Sequence, residues 1–115
     1  MNKILVVGLG SIGLRHVRNI LVNFPNSRII IYSKRKRVPI DIKNNNKIIT
    51  FDSLEKCLKE EPNIGFITNE SAFHVPTAIR LAKNGMDLFI EKPLSDSTKG
   101  IDELKKYIKK NKLIT

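Results

Sequence analysis

Residues 3 to 7 read Lys-Ile-Leu-Val-Val and run directly into Gly8, Gly10 and Gly13. A near-continuous apolar run of this kind predicts a strand buried on both faces of a parallel sheet, and the glycines behind it predict a tight turn into a helix. Within that helix Ile12, Val17, Ile20 and Leu21 recur at helical spacing, until Pro25 and Asn26 end it. The alternation then repeats, with strands predicted over 28–32, 48–51, 64–68 and 88–90. Asp52 or Ser53 caps a helix running to Glu60 with Leu54 and Leu58 inward. A further helix covers 72–84, with Pro76 in its first turn and Asn84-Gly85 as its stop. The stretch from Pro39 to Lys47, with its three consecutive asparagines, reads as an exposed loop holding a short turn of helix at most. A lysine-rich helix follows Glu91-Lys92-Pro93, and Leu113, Ile114 and Thr115 read as the first residues of a sixth strand. Strands alternating with helices predict βαβ units. Their right-handed crossovers make a doubly wound α/β parallel sheet, a single three-layer domain over residues 1–115.

With 41% hydrophobic residues the chain can build such a core, and disorder of the whole chain is excluded. No run approaches the roughly 18 apolar residues of a spanning helix, so a membrane protein is not expected. The single cysteine, Cys57, cannot form an internal disulfide and reads as a core thiol. With no leader-like N-terminus, the expected compartment is the cytoplasm. His16 and His74 stand far apart without cysteines or paired carboxylates at metal-ligand spacing, so no metal site is expected.

The formal net charge is +10, and it is concentrated in two places. One is Lys34-Arg35-Lys36-Arg37. The other, from Lys99 to Lys112, sets six lysines against Asp102 and Glu103. In the second, the lysines alternate with Ile101, Leu104, Tyr107 and Ile108, so they read as the solvated face of an amphipathic helix with cations near its C-terminus. The first run follows a strand and has a more specific reading.

Gly8-Leu9-Gly10-Ser11-Ile12-Gly13 matches G-x-G-x-x-G, a weak pattern alone but a stronger one between a predicted strand and a predicted helix. The first glycine permits the turn, the second lets backbone approach a pyrophosphate, and the third lets helix pack on strand. The helix N-terminus then offers N–H groups to the phosphates, so the loop reads as a Rossmann-type dinucleotide site, against the plainer reading of three glycines in a tight turn with no ligand. About twenty positions past the last glycine, NAD-binding versions carry an acidic residue for the adenosine ribose. Ser33 stands there, followed by Lys34 and Arg35. A carboxylate would repel the 2′-phosphate of NADP, whereas these cations attract it, so NADP is favoured over NAD. The bland alternative is a solvated basic loop or a generic phosphate patch.

These residues resemble a known family. The glycine loop, the segment Thr68-Asn69-Glu70-Ser71-Ala72-Phe73-His74 and the turn Glu91-Lys92-Pro93-Leu94 are similar to the N-terminal domain of the Gfo/Idh/MocA oxidoreductases, over essentially the whole chain. The resemblance implies pyridine-nucleotide-dependent oxidation or reduction of a sugar, cyclitol or related hydroxyl compound. It places Lys92 near the nicotinamide and the substrate hydroxyl as the catalytic residue, where a cation orients the alcohol and stabilises charge developing on oxygen. It places Glu91 on the nicotinamide ribose or on Lys92, Asn69 beside that ribose, and His74 as a residue lining the site. Pro93 would fix the turn. Glu70 stands where members often have proline. Arg15 and His16 either line the phosphate site or lie exposed on the helix.

The family also implies a second α/β domain that builds the substrate pocket and supplies the Asp and His of the proton relay. The chain alone is therefore expected to bind a dinucleotide but to turn over its small-molecule substrate poorly or not at all, and the uncovered sheet predicts self-association. Two other classes remain open at this level. One is a non-catalytic dinucleotide sensor, which binds cofactor without turnover. The other is a basic nucleic-acid-binding protein, disfavoured by only 6% aromatic residues and by the helix-face reading of many lysines.

Overall fold

Alternation along β1 (Lys3–Val7) sends Ile4 and Val6 to one face of a sheet and Leu5 and Val7 to the other, and all four are buried. The computed structural model describes residues 2–34, 38–92, 94 and 98–115. Around β1 stand β2 (Arg28–Tyr32), β3 (Ile48–Phe51), β4 (Ile64–Ile67) and β5 (Asp87–Ile90), all parallel, in the order β3-β2-β1-β4-β5. Ile4 faces Ile29 on one side and Ile64 on the other, which sets the register at the centre of the sheet.

Helices cover both faces. On one lie α1 (Ser11–Asn23) and α2 (Ile40–Lys43), whose Val17, Ile20 and Ile42 pack on Ile4, Val6, Ile29 and Ile31. On the other lie α3 (Leu54–Lys59), α4 (His74–Lys83) and α5 (Ile101–Lys110), which bring Cys57, Ala78, Leu81, Ala82 and Leu104 against Leu5, Val7, Ile30 and Ile67. This is the three-layer, doubly wound arrangement. Cys57 is fully buried, its thiol facing the Ile31 carbonyl at 3.7 Å. Burial pushes its pKa up to about 12, which makes it an inert core thiol.

Four local expectations change. Ile12 is 46% exposed, because Gly13, Val17 and Ile20 form the buried stripe of α1 and Ile12 stands one residue outside it. The short turn of helix expected within the 39–47 loop is α2, but it is not exposed throughout, since Ile42 is fully buried and anchors it. The helix expected from Ala72 opens instead with a 3-10 turn, Ser71–Phe73, before α4 begins. Residues 113–115 do not form a regular sixth strand. The Leu88 amide donates to the Ile114 carbonyl, but the Ile114 amide donates to the Asp87 carboxylate, so a side chain takes the place of a ladder bond.

The half-face of β4 and β5 next to α1 carries an apolar groove of about 290 Å³. Phe66 and Phe89 stack there with ring centres 5.0 Å apart. Among the described residues no helix is long and apolar enough to cross a membrane.

Candidate functional site

Strand order reverses between β1 and β4, the connection from β1 leading outward to β2 and the one from β3 returning to β4 on the far side. The carboxyl ends of those strands diverge into a crevice, the place where open α/β sheets take ligands. A cleft of about 790 Å³ opens there. Its floor is Gly8, Leu9 and Gly10 after β1; Tyr32, Ser33 and Lys34 form one end beyond β2; Thr68, Asn69 and Glu70 form the wall beyond β4. Leu54 of α3 and Phe73, Thr77 and Arg80 at α4 close the outer side.

The three glycines of the turn have different physical reasons. Gly8 has φ +94°, and a Cβ on it would stand 2.9 Å from the Asn69 Cα. A Cβ on Gly13 would stand 2.1 Å from the Gly8 carbonyl oxygen, so only glycine lets α1 start this close to the turn. Gly10 is the exception: its φ of −78° suits any residue, and a Cβ there would meet nothing within 4 Å. The fold leaves the space above Gly10 open, on the floor of the cleft. Gly10 is also the N-cap of α1 and supplies no capping side chain, and the first turn holds no acidic residue, so the end of the helix suits an anion. The Thr68 hydroxyl lies 2.9 Å from the Val7 carbonyl and 3.0 Å from the Gly8 carbonyl, tying the turn to β4.

Asn69 is held from two directions. Buried His74 approaches the Asn69 carbonyl through Nε2 at 2.7 Å; a carbonyl only accepts, so Nε2 carries the proton. Asn69 Nδ2 faces the Thr77 hydroxyl at 3.4 Å, which leaves Oδ1 buried without a partner. An unmet buried acceptor in the wall of the cleft suits a ligand hydroxyl. The open cradle above Gly10 and this acceptor together fit a dinucleotide, whose pyrophosphate would lie on Gly10 and the start of α1 and whose ribose hydroxyls would reach Asn69. At the outer rim Arg80 forms an ion pair with Glu55 of α3.

Of the residues expected from sequence, the cleft brings together Gly8, Gly10, Ser33, Lys34, Thr68 and Asn69. Gly13 lies buried beneath the turn, Ser11 and Ile12 are exposed on the first turn of α1, and His74 stands behind Asn69. Arg35 lies outside the described residues, as do Lys36, Arg37 and Pro93. Lys92 is exposed just past the end of β5. Glu91 accepts a hydrogen bond from His16 Nε2 at 2.9 Å, so His16 points to β5, neither lining the phosphate cleft nor lying free on the helix surface. That hydrogen bond holds the Glu91 carboxyl below its ordinary range. Phe73, Thr77 and Arg80 were not anticipated from the sequence. Their spacing of four and three on the way into and along α4 was the available signal.

Among the described residues no group of three or more His, Cys, Asp or Glu is placed to hold a metal. No curated protein sequence matches the chain. Solved structures share its fold. The chain superposes with a TM-score of 0.80 on myo-inositol 2-dehydrogenase from Lactobacillus plantarum, at 23% identity, over 96% of this chain and 33% of that one. For the WlbA dehydrogenase from Bordetella pertussis in complex with NADH and UDP-GlcNAcA the TM-score is 0.79 at 19% identity, over 97% and 34%. For the UDP-N-acetylglucosamine 3-dehydrogenase GnnA from Acidithiobacillus ferrooxidans it is 0.77 at 19% identity, over 96% and 36%. The chain thus spans about a third of the length of these structures. A family model described as an oxidoreductase family with an NAD-binding Rossmann fold, GFO_IDH_MocA, matches residues 2–115, and with the glycine turn, the sheet order and the cleft in agreement, the chain belongs to that family as its NAD-binding domain.

Proposed function

We propose that the cleft binds NADP in preference to NAD, and that the chain serves hydride transfer to or from the hydroxyl-bearing carbon of a sugar, cyclitol or related compound. The observation that carries the dinucleotide reading is Gly10, a glycine that neither its backbone angles nor its neighbours require. Substrates named for the similar structures, an inositol and nucleotide-linked amino sugars, support the substrate class.

Preference for the 2′-phosphate rests on Ser33 and Lys34 at the β2 end of the cleft, and on Arg35 as the next cation in the sequence. An acidic side chain at position 33 would favour a ribose diol and repel a phosphate. In this reading Gly8 and Gly10 bring backbone against the pyrophosphate, and Thr68 keeps the turn in register with β4. Asn69, fixed by His74, offers Oδ1 to a ribose hydroxyl. The nicotinamide supplies the hydride chemistry. Lys92, beyond β5, orients the substrate hydroxyl and stabilises negative charge on its oxygen. The substrate itself is held by a second domain.

Paired titrations with NADPH and NADH, followed by nicotinamide fluorescence at low and moderate salt, test this reading. NADPH is expected to bind about tenfold tighter, a difference of roughly 1.4 kcal/mol. Equal affinities would remove the roles of Ser33, Lys34 and Arg35. Binding of neither nucleotide would remove the site.

A further inference from the structure

The His16–Glu91 contact joins α1, the helix that follows the glycine turn, to the end of β5 beside Lys92. His16 lies on α1, the helix that begins at Gly10; Glu91 ends β5 and immediately precedes Lys92. Between them lies β4. The imidazole rests against Phe66 of β4, ring centres 5.4 Å apart, and against Phe89 of β5 at 5.2 Å, edge to face. Two ring contacts fix the plane of the imidazole, and its Nε2 then meets the Glu91 carboxylate at 2.9 Å. The Glu91 amide donates to the Ile67 carbonyl, so its backbone is tied to β4 while its side chain is tied to α1. Both side chains are about one-fifth exposed, which makes this a half-buried contact.

We infer that His16 is a positioning residue: through Glu91 it holds the Lys92 turn in place for the nicotinamide half of the dinucleotide. This rests on the reading of the cleft as a dinucleotide site. A dinucleotide whose adenosine end lies at Ser33 and Lys34, past β2, and whose pyrophosphate crosses Gly10 extends its other end over β4 and β5. The nicotinamide half therefore comes to the side where Glu91 and Lys92 stand. The adenosine half lies two strands away from the His16 contact. Loss of that contact releases Glu91 to other rotamers and loosens the neighbouring Lys92, with no direct effect on the adenosine end.

The test compares the tighter-binding of NADH and NADPH with the matching ligand lacking nicotinamide, ADP-ribose or 2′-phospho-ADP-ribose. Binding is measured by calorimetry for wild type, His16→Phe and His16→Gln, with circular dichroism confirming the fold. His16→Phe keeps a ring against Phe66 and Phe89 but loses the hydrogen bond, whereas His16→Gln keeps a donor. The expected result for His16→Phe is a loss of about three- to tenfold in affinity for the complete dinucleotide, an unchanged affinity for the ADP-ribose ligand, and substantial rescue in His16→Gln. Should His16→Phe not fold, His16→Leu, smaller and likewise without a donor, reads the loss of the same contact. A parallel loss for both ligands would reduce His16 to a structural role, and no loss for either would remove the role altogether. A wild-type chain that binds neither ligand overturns the dinucleotide reading itself, whereas binding without a split between the two ligands overturns only the role of His16.

Discussion

Three glycines in one turn fill one sequence pattern for three physical reasons, and substitution separates them. Gly13 is required by packing, since an added methyl would stand 2.1 Å from the Gly8 carbonyl oxygen, a backbone atom that cannot step aside. Gly13→Ala is therefore expected to cost about 2–4 kcal/mol in urea unfolding, as overpacking against backbone does. A cost under about 0.5 kcal/mol would mean that α1 slides away from the turn without penalty. Gly10 has no such constraint, and its role appears only in what the cleft can accept. The pattern was legible in the sequence; the division of labour within it was not, because it depends on the distance from each Cα to atoms of β4 and of the turn itself. Asn69 shows the same limit. Its place after β4 was readable, but its fixation by His74 and its unpartnered Oδ1 were not.

At the scale of elements, the strands were the most legible part. The apolar run over 29–31 is buried on both faces by helices, and in Ile64–Ile67 Gly65 and Ile67 are buried while Ile64 and Phe66 border the apolar groove, so both runs read as strands of a parallel sheet. Edges were less legible. Leu113 to Thr115 have strand-like residues, yet the Asp87 carboxylate captures the Ile114 amide and interrupts the ladder. Contacts between distant elements were not legible at all: His16 and Glu91 stand 75 residues apart and meet only because α1 and β5 flank β4 on the same side. This contact has a pH signature. His16 lowers the Glu91 pKa, so the folded state gains from the ionised carboxylate above the ordinary carboxylate range and loses that gain as pH falls through the lowered value. In urea titrations from pH 7 to pH 3, wild type is expected to be more stable than Glu91→Gln at neutral pH, with the gap closing on the acid side. A gap that persists undiminished to pH 3 would contradict the contact as described.

On the scale of the whole molecule, topology and charge point to the same end of the sheet. The order β3-β2-β1-β4-β5 puts the crevice beside the glycine turn, and Lys34 stands at one end of it. Four further lysines, Lys105, Lys106, Lys109 and Lys110, are exposed on α5, of which Leu104 is the residue buried against the core. Asp102 and Glu103 in its first turn and Lys109 and Lys110 in its last follow the helix dipole, so these charges are accounted for by the helix itself. The net charge of +10 still favours the approach of an anionic ligand to the cleft. The central claim is that this cleft holds a dinucleotide over Gly10. Its most direct test is the affinity of wild type and Gly10→Ala for NADPH and NADH, measured beside their unfolding free energies. Gly10→Ala is expected to stay within about 1 kcal/mol of wild type, since alanine fits the backbone there and restricts the unfolded chain while glycine is the better N-cap. It is also expected to bind the nucleotide at least about tenfold more weakly, because its methyl occupies the space of the pyrophosphate. A stable Gly10→Ala chain that binds as tightly as wild type would contradict the account.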